Sequence, residues 1–248
     1  MNLPDFAIVI PARFASSRFP GKPLALLRGR PVLRWVWERA RDSAAAQVLI
    51  ATDDERIAAV ARGFGADVVM TDANHASGTD RIAEVAQLLR WPGEQLIVNL
   101  QGDEPSMPAP LIDLVASTSI QHPAADIATA CCRFSSVAEW HNPNAVKVVG
   151  AADGRALYFS RAPIPAAVSG DTLPSLARRH IGIYAYRVAA LRRLARLGPC
   201  DLEREERLEQ LRALHAGMTI MLAETDKPPL GDVNTQADLA RLELLPDF

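Results

Sequence analysis

The chain has 248 residues, is 49% hydrophobic and carries a formal net charge of -2. That much apolar sequence excludes a disordered chain and suffices for one large or two modest domains. The charge excludes broad, sequence-independent nucleic-acid binding, which needs a basic surface. The cysteines, adjacent Cys131 and Cys132 plus Cys200, form neither a disulfide framework nor a structural zinc spacing. No signal-peptide pattern and no apolar run of about 18 residues is present, so a reducing cytoplasm is the expected compartment.

Short runs rich in Val, Ile and Leu at 7–10, 48–51, 68–70, 96–100 and 127–131 predict strands buried on both faces. Helical patterns separate them. Pro31 opens one running to about Ser43, and Asp53 is the expected cap of a second that carries Ile57, Val60 and Ala61 on one stripe. Residues 80–89 and 108–120 give the third and fourth. Beyond them, 146–149, 156–159, 181–186 and 219–223 predict strands, and 188–197, 203–216 and 235–244 predict helices. Residues 163–174 read as a polar loop. This alternation predicts an α/β fold of the Rossmann-like, doubly wound type, with a mostly parallel sheet and ligands at the carboxyl ends of its strands.

Three loops carry chemistry. The first follows the first strand and holds Arg13, Arg18, Lys22 and Gly21 between Pro20 and Pro23. Guanidinium forks and a mobile ammonium suit phosphate oxygens, and glycine permits close backbone approach. An exposed basic loop is the alternative. The loop is not a Walker motif, and no G-x-G-x-x-G is present, which disfavours a dinucleotide redox cofactor. The second loop, Gln101-Gly102-Asp103-Glu104-Pro105, puts a carboxylate where a Mg²⁺ ligand would sit beside a polyphosphate. Alternatively, Asp103 and Glu104 favour the positive end of the next helix. The third, Asn74-His75-Ala76-Ser77-Gly78-Thr79-Asp80, offers hydrogen bonds to a base or ribose, or a helix cap by Thr79 or Asp80.

Taken together, these loops resemble the cytidylyltransferases that activate 3-deoxy-D-manno-octulosonate (Kdo) for lipopolysaccharide. The shared segments are Ile10-Pro11-Ala12-Arg13 through Gly21-Lys22-Pro23-Leu24, residues 74–81, Val98-Asn99-Leu100-Gln101-Gly102-Asp103-Glu104-Pro105, and Asn142-Pro143-Asn144-Ala145-Val146-Lys147. Matches at Ala156-Leu157-Tyr158-Phe159-Ser160-Arg161, Arg179-His180-Ile181-Gly182-Ile183-Tyr184 and Leu208-Glu209-Gln210-Leu211-Arg212 extend the resemblance nearly end to end. It implies that Arg13 and Lys22 hold the triphosphate of CTP, and that Ala12, Ser77 and Thr79 hold cytosine and ribose. Asp103 would ligate Mg²⁺, and Gln101, Arg161, His180, Tyr184, Glu209 and Gln210 would line the sugar-acid pocket. Catalysis would rest on Lys22, Asp103 and Arg13. A homodimer is implied, with 1–150 as the CTP-binding core, 151–197 as the sugar-binding and dimerisation region, and 198–248 completing the core. An 8-amino analogue of Kdo or a sialic acid as substrate, and a non-catalytic nucleotide binder, remain alternatives. Arg161 and His180 as surface residues, and a Glu209–Arg212 pair along a helix, are the structural alternatives.

One departure stands out. Where the family usually carries Gly-Val-Asp-Thr, this chain reads Gly231-Asp232-Val233-Asn234-Thr235, so Asn234 replaces a Mg²⁺-binding aspartate. Its amide oxygen remains a ligand without charge. Asp232, on the same side of an extended segment, or a water is the expected compensation, and a cap for the last helix is the other reading of Asn234.

Overall fold

In the computed structural model, which describes residues 5–15, 19–167 and 172–245, the opening apolar run becomes β1 (Phe6–Ala12), the middle of a sheet. A 3-10 turn (Lys22–Leu24) and a hairpin of β2 (Leu26–Leu27) and β3 (Arg30–Pro31) lead into α1 (Val32–Arg41). Then come β4 (Gln47–Thr52), α2 (Glu55–Gly63), β5 (Asp67–Met70), α3 (Gly78–Leu88), β6 (Leu96–Asn99), α4 (Ala109–Gln121) and β7 (Ile127–Arg133). The second half adds α5 (Val137–His141), β8 (Lys147–Gly150), β9 (Ala156–Ser160), β10 (Arg178–Arg187) and α6 (Val188–Ala195). It closes with α7 (Asp201–Glu206), α8 (Gln210–His215), β11 (Ile220–Glu224) and α9 (Gln236–Glu243).

Among the described residues one sheet runs β11-β7-β10-β6-β1-β4-β5, with β8 and β9 attached beside β10. β1 pairs in parallel with β4 (Ile10 opposite Ile50) and β6 (Ile8 opposite Val98), as the alternating pattern requires. Against this pattern β10 inserts between β6 and β7 and runs antiparallel to both, and the β10–β8 and β8–β9 pairs are antiparallel too. Alternation along β1 sends Ile8 and Ile10 to one face, where α1, α2 and α4 cover them through Leu33, Val36, Ile57 and Val115. Val9 points to the other face, covered by α3, α6 and α8 through Ile82, Leu191 and Leu211. The sheet is therefore mixed but mostly parallel, with helices on both sides.

Four local expectations need correction. Asp54, not Asp53, caps α2, its carboxylate accepting from the Arg56 N–H at 2.9 Å; Asp53 instead pairs with the buried Arg81 at 3.0 Å. Ser77 caps α3, and Asp80 completes a reciprocal capping box as the third helical residue. The helix expected over 203–216 is two helices, because Arg207 adopts a left-handed φ of 52° that no α-helix continues through. Arg212 pairs with Glu203 rather than Glu209, through two hydrogen bonds of 2.6 and 2.8 Å.

Candidate active site

The phosphate loop is closed from within. Gly21, at φ 71°, donates its N–H to the Phe14 carbonyl at 3.0 Å, a turn that favours glycine. Lys22 is thereby turned towards the loop after β6, where its Nζ meets Asp103 Oδ2 at 2.5 Å. Gly102 makes that meeting possible. A Cβ there would stand 2.8 Å from the Pro11 carbonyl oxygen, so only glycine lets the β6 loop lie against the end of β1. Ser16, Ser17 and Arg18 lie outside the described residues.

A third segment, well separated in sequence, joins these two. Val233 N–H donates to the Asp103 carbonyl at 2.9 Å, and Ser106 Oγ bonds both the Gly231 carbonyl, at 2.9 Å, and its N–H, at 3.2 Å. The Asn234 amide donates to the Asp232 carboxylate. Thr235, not Asn234, caps α9. Burial, then the neighbouring Asp103 charge, raises the Asp232 carboxyl above its usual range. Glu104 is held well above its own by burial and by Asp232 and Asp103, and its Oε2 has no hydrogen-bond partner. Carboxyls pressed together in this way are what a bound cation relieves. Asp103, Asp232 and Asn234 line one cavity, and each carries a side-chain oxygen, the ligand type that Mg²⁺ prefers.

Three connected cavities surround this junction. A cleft of about 220 Å³ collects Ala12, Arg13, Lys22, Ser77, Gln101, Asp103 and Asn234. A cavity of about 730 Å³ is lined by Gln101, Asp103, Arg161, His180, Tyr184, Gln210, Asp232 and Asn234. A third, of about 250 Å³, takes Thr79 and Glu209, which the other two do not, and shares Gln101, Tyr184 and Gln210 with the second. Thr79 thus stands apart from Ala12 and Ser77.

The large cavity's cations are braced. Arg161 donates from Nε to the Glu206 carbonyl (2.7 Å), from Nη1 to the Pro143 carbonyl (3.0 Å) and from Nη2 to the Arg207 carbonyl (3.4 Å). Two of its five N–H groups remain. Sequence reasoning passed over three neighbours. Lys147 is fully buried, its Nζ donating to the carbonyls of Asn142 (2.7 Å) and Arg161 (2.8 Å). Burial, then the Arg161 charge, lowers its pKa. Glu206 accepts from Ser160 Oγ at 2.6 Å and from the Arg161 N–H at 2.8 Å. Arg179, opposite, is paired with Glu139 at 2.7 Å. The basic residue inside an apolar strand at Lys147 was the available signal; the Arg179–Glu139 pair joins residues forty apart and had none.

His180 is not a surface residue. Its Nε2 lies 2.9 Å from Thr129 Oγ1, its ring packs edge-on against Phe159, and burial lowers its pKa to about 3. It is a neutral hydrogen-bonding group at neutral pH. Tyr184, tilted against it, and Glu209 are both raised by burial.

A cytidylyltransferase family profile matches residues 7–220. The chain belongs to the cytidylyltransferase family. Two relatives described as 3-deoxy-manno-octulosonate cytidylyltransferases are 49% identical (Marinobacter nauticus) and 51% identical (Thioalkalivibrio sulfidiphilus). Each alignment covers 97% of this chain, and 97% and 98% of the two relatives respectively. The solved structure of a CMP:2-keto-3-deoxy-manno-octonic acid synthetase in complex with CTP superposes with a TM-score of 0.89 at 38% identity, over 97% of both chains. A cytidylyltransferase from Leptospira borgpetersenii shares the fold alone, at 17% identity and a TM-score of 0.63 over 96% of this chain and 85% of its own. As a cytidylyltransferase, the protein is an enzyme of the nucleotidyltransferase class, and Asp103, the partner of Lys22, lines both the cleft and the large cavity.

Proposed function

We propose that the protein transfers CMP from CTP to the anomeric hydroxyl of Kdo, giving CMP-Kdo and pyrophosphate for lipopolysaccharide synthesis. The observation that carries this reading is the junction itself. A cationic cleft and a polar, cation-bearing cavity share Gln101, Asp103 and Asn234 as common wall, so two substrates can meet across Asp103. CTP occupies the cleft, with its phosphates on Lys22 and Arg13. The sugar acid occupies the cavity, its carboxylate drawn to the side bearing Arg161 and Arg179.

The sugar hydroxyl attacks the α-phosphorus in line with the departing pyrophosphate. Charge gathers on the phosphate oxygens, so the chain's contribution is positioning and fixed positive charge. Lys22 sits at that point, held by Asp103 until phosphate competes for it. His180, neutral and hydrogen-bonded to Thr129, orients the sugar rather than carrying a charge. Asp103 and Asp232, with the Asn234 amide oxygen, would hold Mg²⁺, which when bound would supply Lewis-acid charge neutralisation at this point.

Pyrophosphate release from CTP, compared with Kdo, its 8-amino analogue and a sialic acid, tests the assignment. Kdo is expected to give the highest kcat/KM; release with sialic acid alone, or with none, overturns it. We further infer a cytoplasmic homodimer in which residues 151–197 supply both the outer cavity wall and the contact. In support, Leu157 and Leu176 are large apolar side chains exposed at 60% and 72%, and no helix among the described residues is long and apolar enough to cross a membrane. Light scattering should give twice the chain mass, and a monomer at micromolar concentration counts against the dimer.

A further inference from the structure

The proposed reaction gives no task to the side chains that join the basic loop to α2. Phe14 directly follows Arg13, and its carbonyl accepts the Gly21 N–H at 3.0 Å, one residue before Lys22. The Phe14 ring makes a second contact with the same glycine. A Cβ at Gly21 would stand 3.2 Å from ring carbons Cε2 and Cζ. The guanidinium carbon of Arg56 lies 3.5 Å from the centre of that ring. Phe14 thus touches the far end of its own loop and a residue of the first turn of α2, and a shift of its ring would carry Arg13 and Lys22 with it.

Arg56 is itself fixed. Its Nε and Nη2 donate to the two carboxylate oxygens of Asp54, at 3.0 and 2.6 Å. Asp54 caps α2, a helix anchored in the core by Ile57, Ala58 and Ala61. The Asp54 N–H in turn donates to Oγ1 of the buried Thr52 at 3.2 Å. Thr52 ends β4 opposite Ala12, the last residue of β1. The string Thr52–Asp54–Arg56–Phe14 therefore leaves the sheet beside β1 and returns to the loop two residues past its end. A fork paired with both oxygens of a carboxylate has one orientation, and a planar cation over an aromatic face is held by the ring's quadrupole. Arg56 does not line the cleft that holds Arg13 and Lys22, so it acts through Phe14 and not on a ligand.

We propose that Arg56 is a positioning residue for the triphosphate site. Clamped by Asp54, it holds the Phe14 ring, and through it Arg13 and Lys22, in the geometry that receives the phosphates of CTP. The inference rests on the reading above that CTP occupies this cleft. The competing role for an arginine near an anion site is plain charge attraction, and the test separates the two.

The Arg56 side chain is 62% exposed, so replacing it should leave the fold intact. CTP binding to the full chain, by calorimetry with Mg²⁺ and without sugar, is compared for wild type, Arg56→Ala and Arg56→Lys. Arg56→Ala is expected to weaken CTP binding roughly two- to fivefold, the worth of one exposed cation–π contact. Lysine keeps the charge but lacks the planar fork that Asp54 orients, so Arg56→Lys should be weakened alike. KM for the sugar acid and the urea midpoint should stay at wild-type values in both variants. Wild-type affinity in Arg56→Lys means that charge alone suffices and overturns the assignment, as does an equal rise in the sugar KM or a lowered midpoint. If the wild type does not bind CTP, the reading of the cleft fails and this inference with it. A wild type that binds CTP beside an Arg56→Ala variant of equal affinity sinks the inference alone.

Discussion

In the smaller cleft Lys22 is paired with Asp103, which lines the same cleft, and Arg13 is exposed. At the large cavity Arg161 and Lys147 spend most of their donors on backbone carbonyls, and Arg179 is tied to Glu139. The first group can be captured by a ligand at the cost of one contact. The second shapes a wall, because releasing it would strand several buried carbonyls. Identical residue types thus serve as ligand and as brace within one site, and hydrogen-bond partners tell them apart.

The largest effect expected from this contrast is at Lys22. Lys22→Met should lower kcat/KM for CTP by roughly 10²–10³ in a pyrophosphate-release assay, with little change in the denaturation midpoint. Arg161→Ala should raise KM for the sugar acid and lower stability together; a large loss in CTP affinity as well would erase the distinction between the two sides. Arg212→Met comes next. It strands Glu203; the two side chains of this pair are 10% and 14% exposed, and the change should cost roughly 3–5 kcal/mol in urea unfolding.

His180 gives a smaller, pH-dependent effect. Its folded pKa of about 3 lies below the ordinary 6.5, so between those values the unfolded state binds the extra proton. Its contribution is complete above about pH 6.5 and is lost as the pH falls. Going from pH 7 to 5, the wild type should lose on the order of 1–2 kcal/mol more than His180→Gln; parallel curves would mean that the ring is not buried neutral. At the bottom of the scale, the exposed Arg204–Asp201 pair should be worth under about 0.5 kcal/mol, so Asp201→Asn barely moves the midpoint.

Local pattern carried far in this chain. Strands buried on both faces read as continuous Val and Ile runs, and the basic loop after β1 was marked by Gly21 and its cations. Arg13, Lys22, Ser77 and Asp103 do line one cleft. The misreadings share a cause. The cap of α2 and the break at Arg207 turn on single backbone dihedrals, where neighbouring residues compete on nearly equal terms. Arg212 chose Glu203 over Glu209 because that break turns α7 back against α8.

By itself the amino-acid order determined the alternation of strands and helices, the basic loop after β1 and the membership of a family, because each depends on contacts close in sequence or on residue types at set spacings. Only the tertiary structure decided that β10 runs backwards through the middle of the sheet, carrying His180, Tyr184 and Tyr186 to the site. It alone joined residues 231–234 to Asp103, and it alone separated Lys22, available to a ligand, from Arg161, held in a brace. These are pairings between distant segments. Their energies depend on burial and geometry that exist only once the chain has closed on itself.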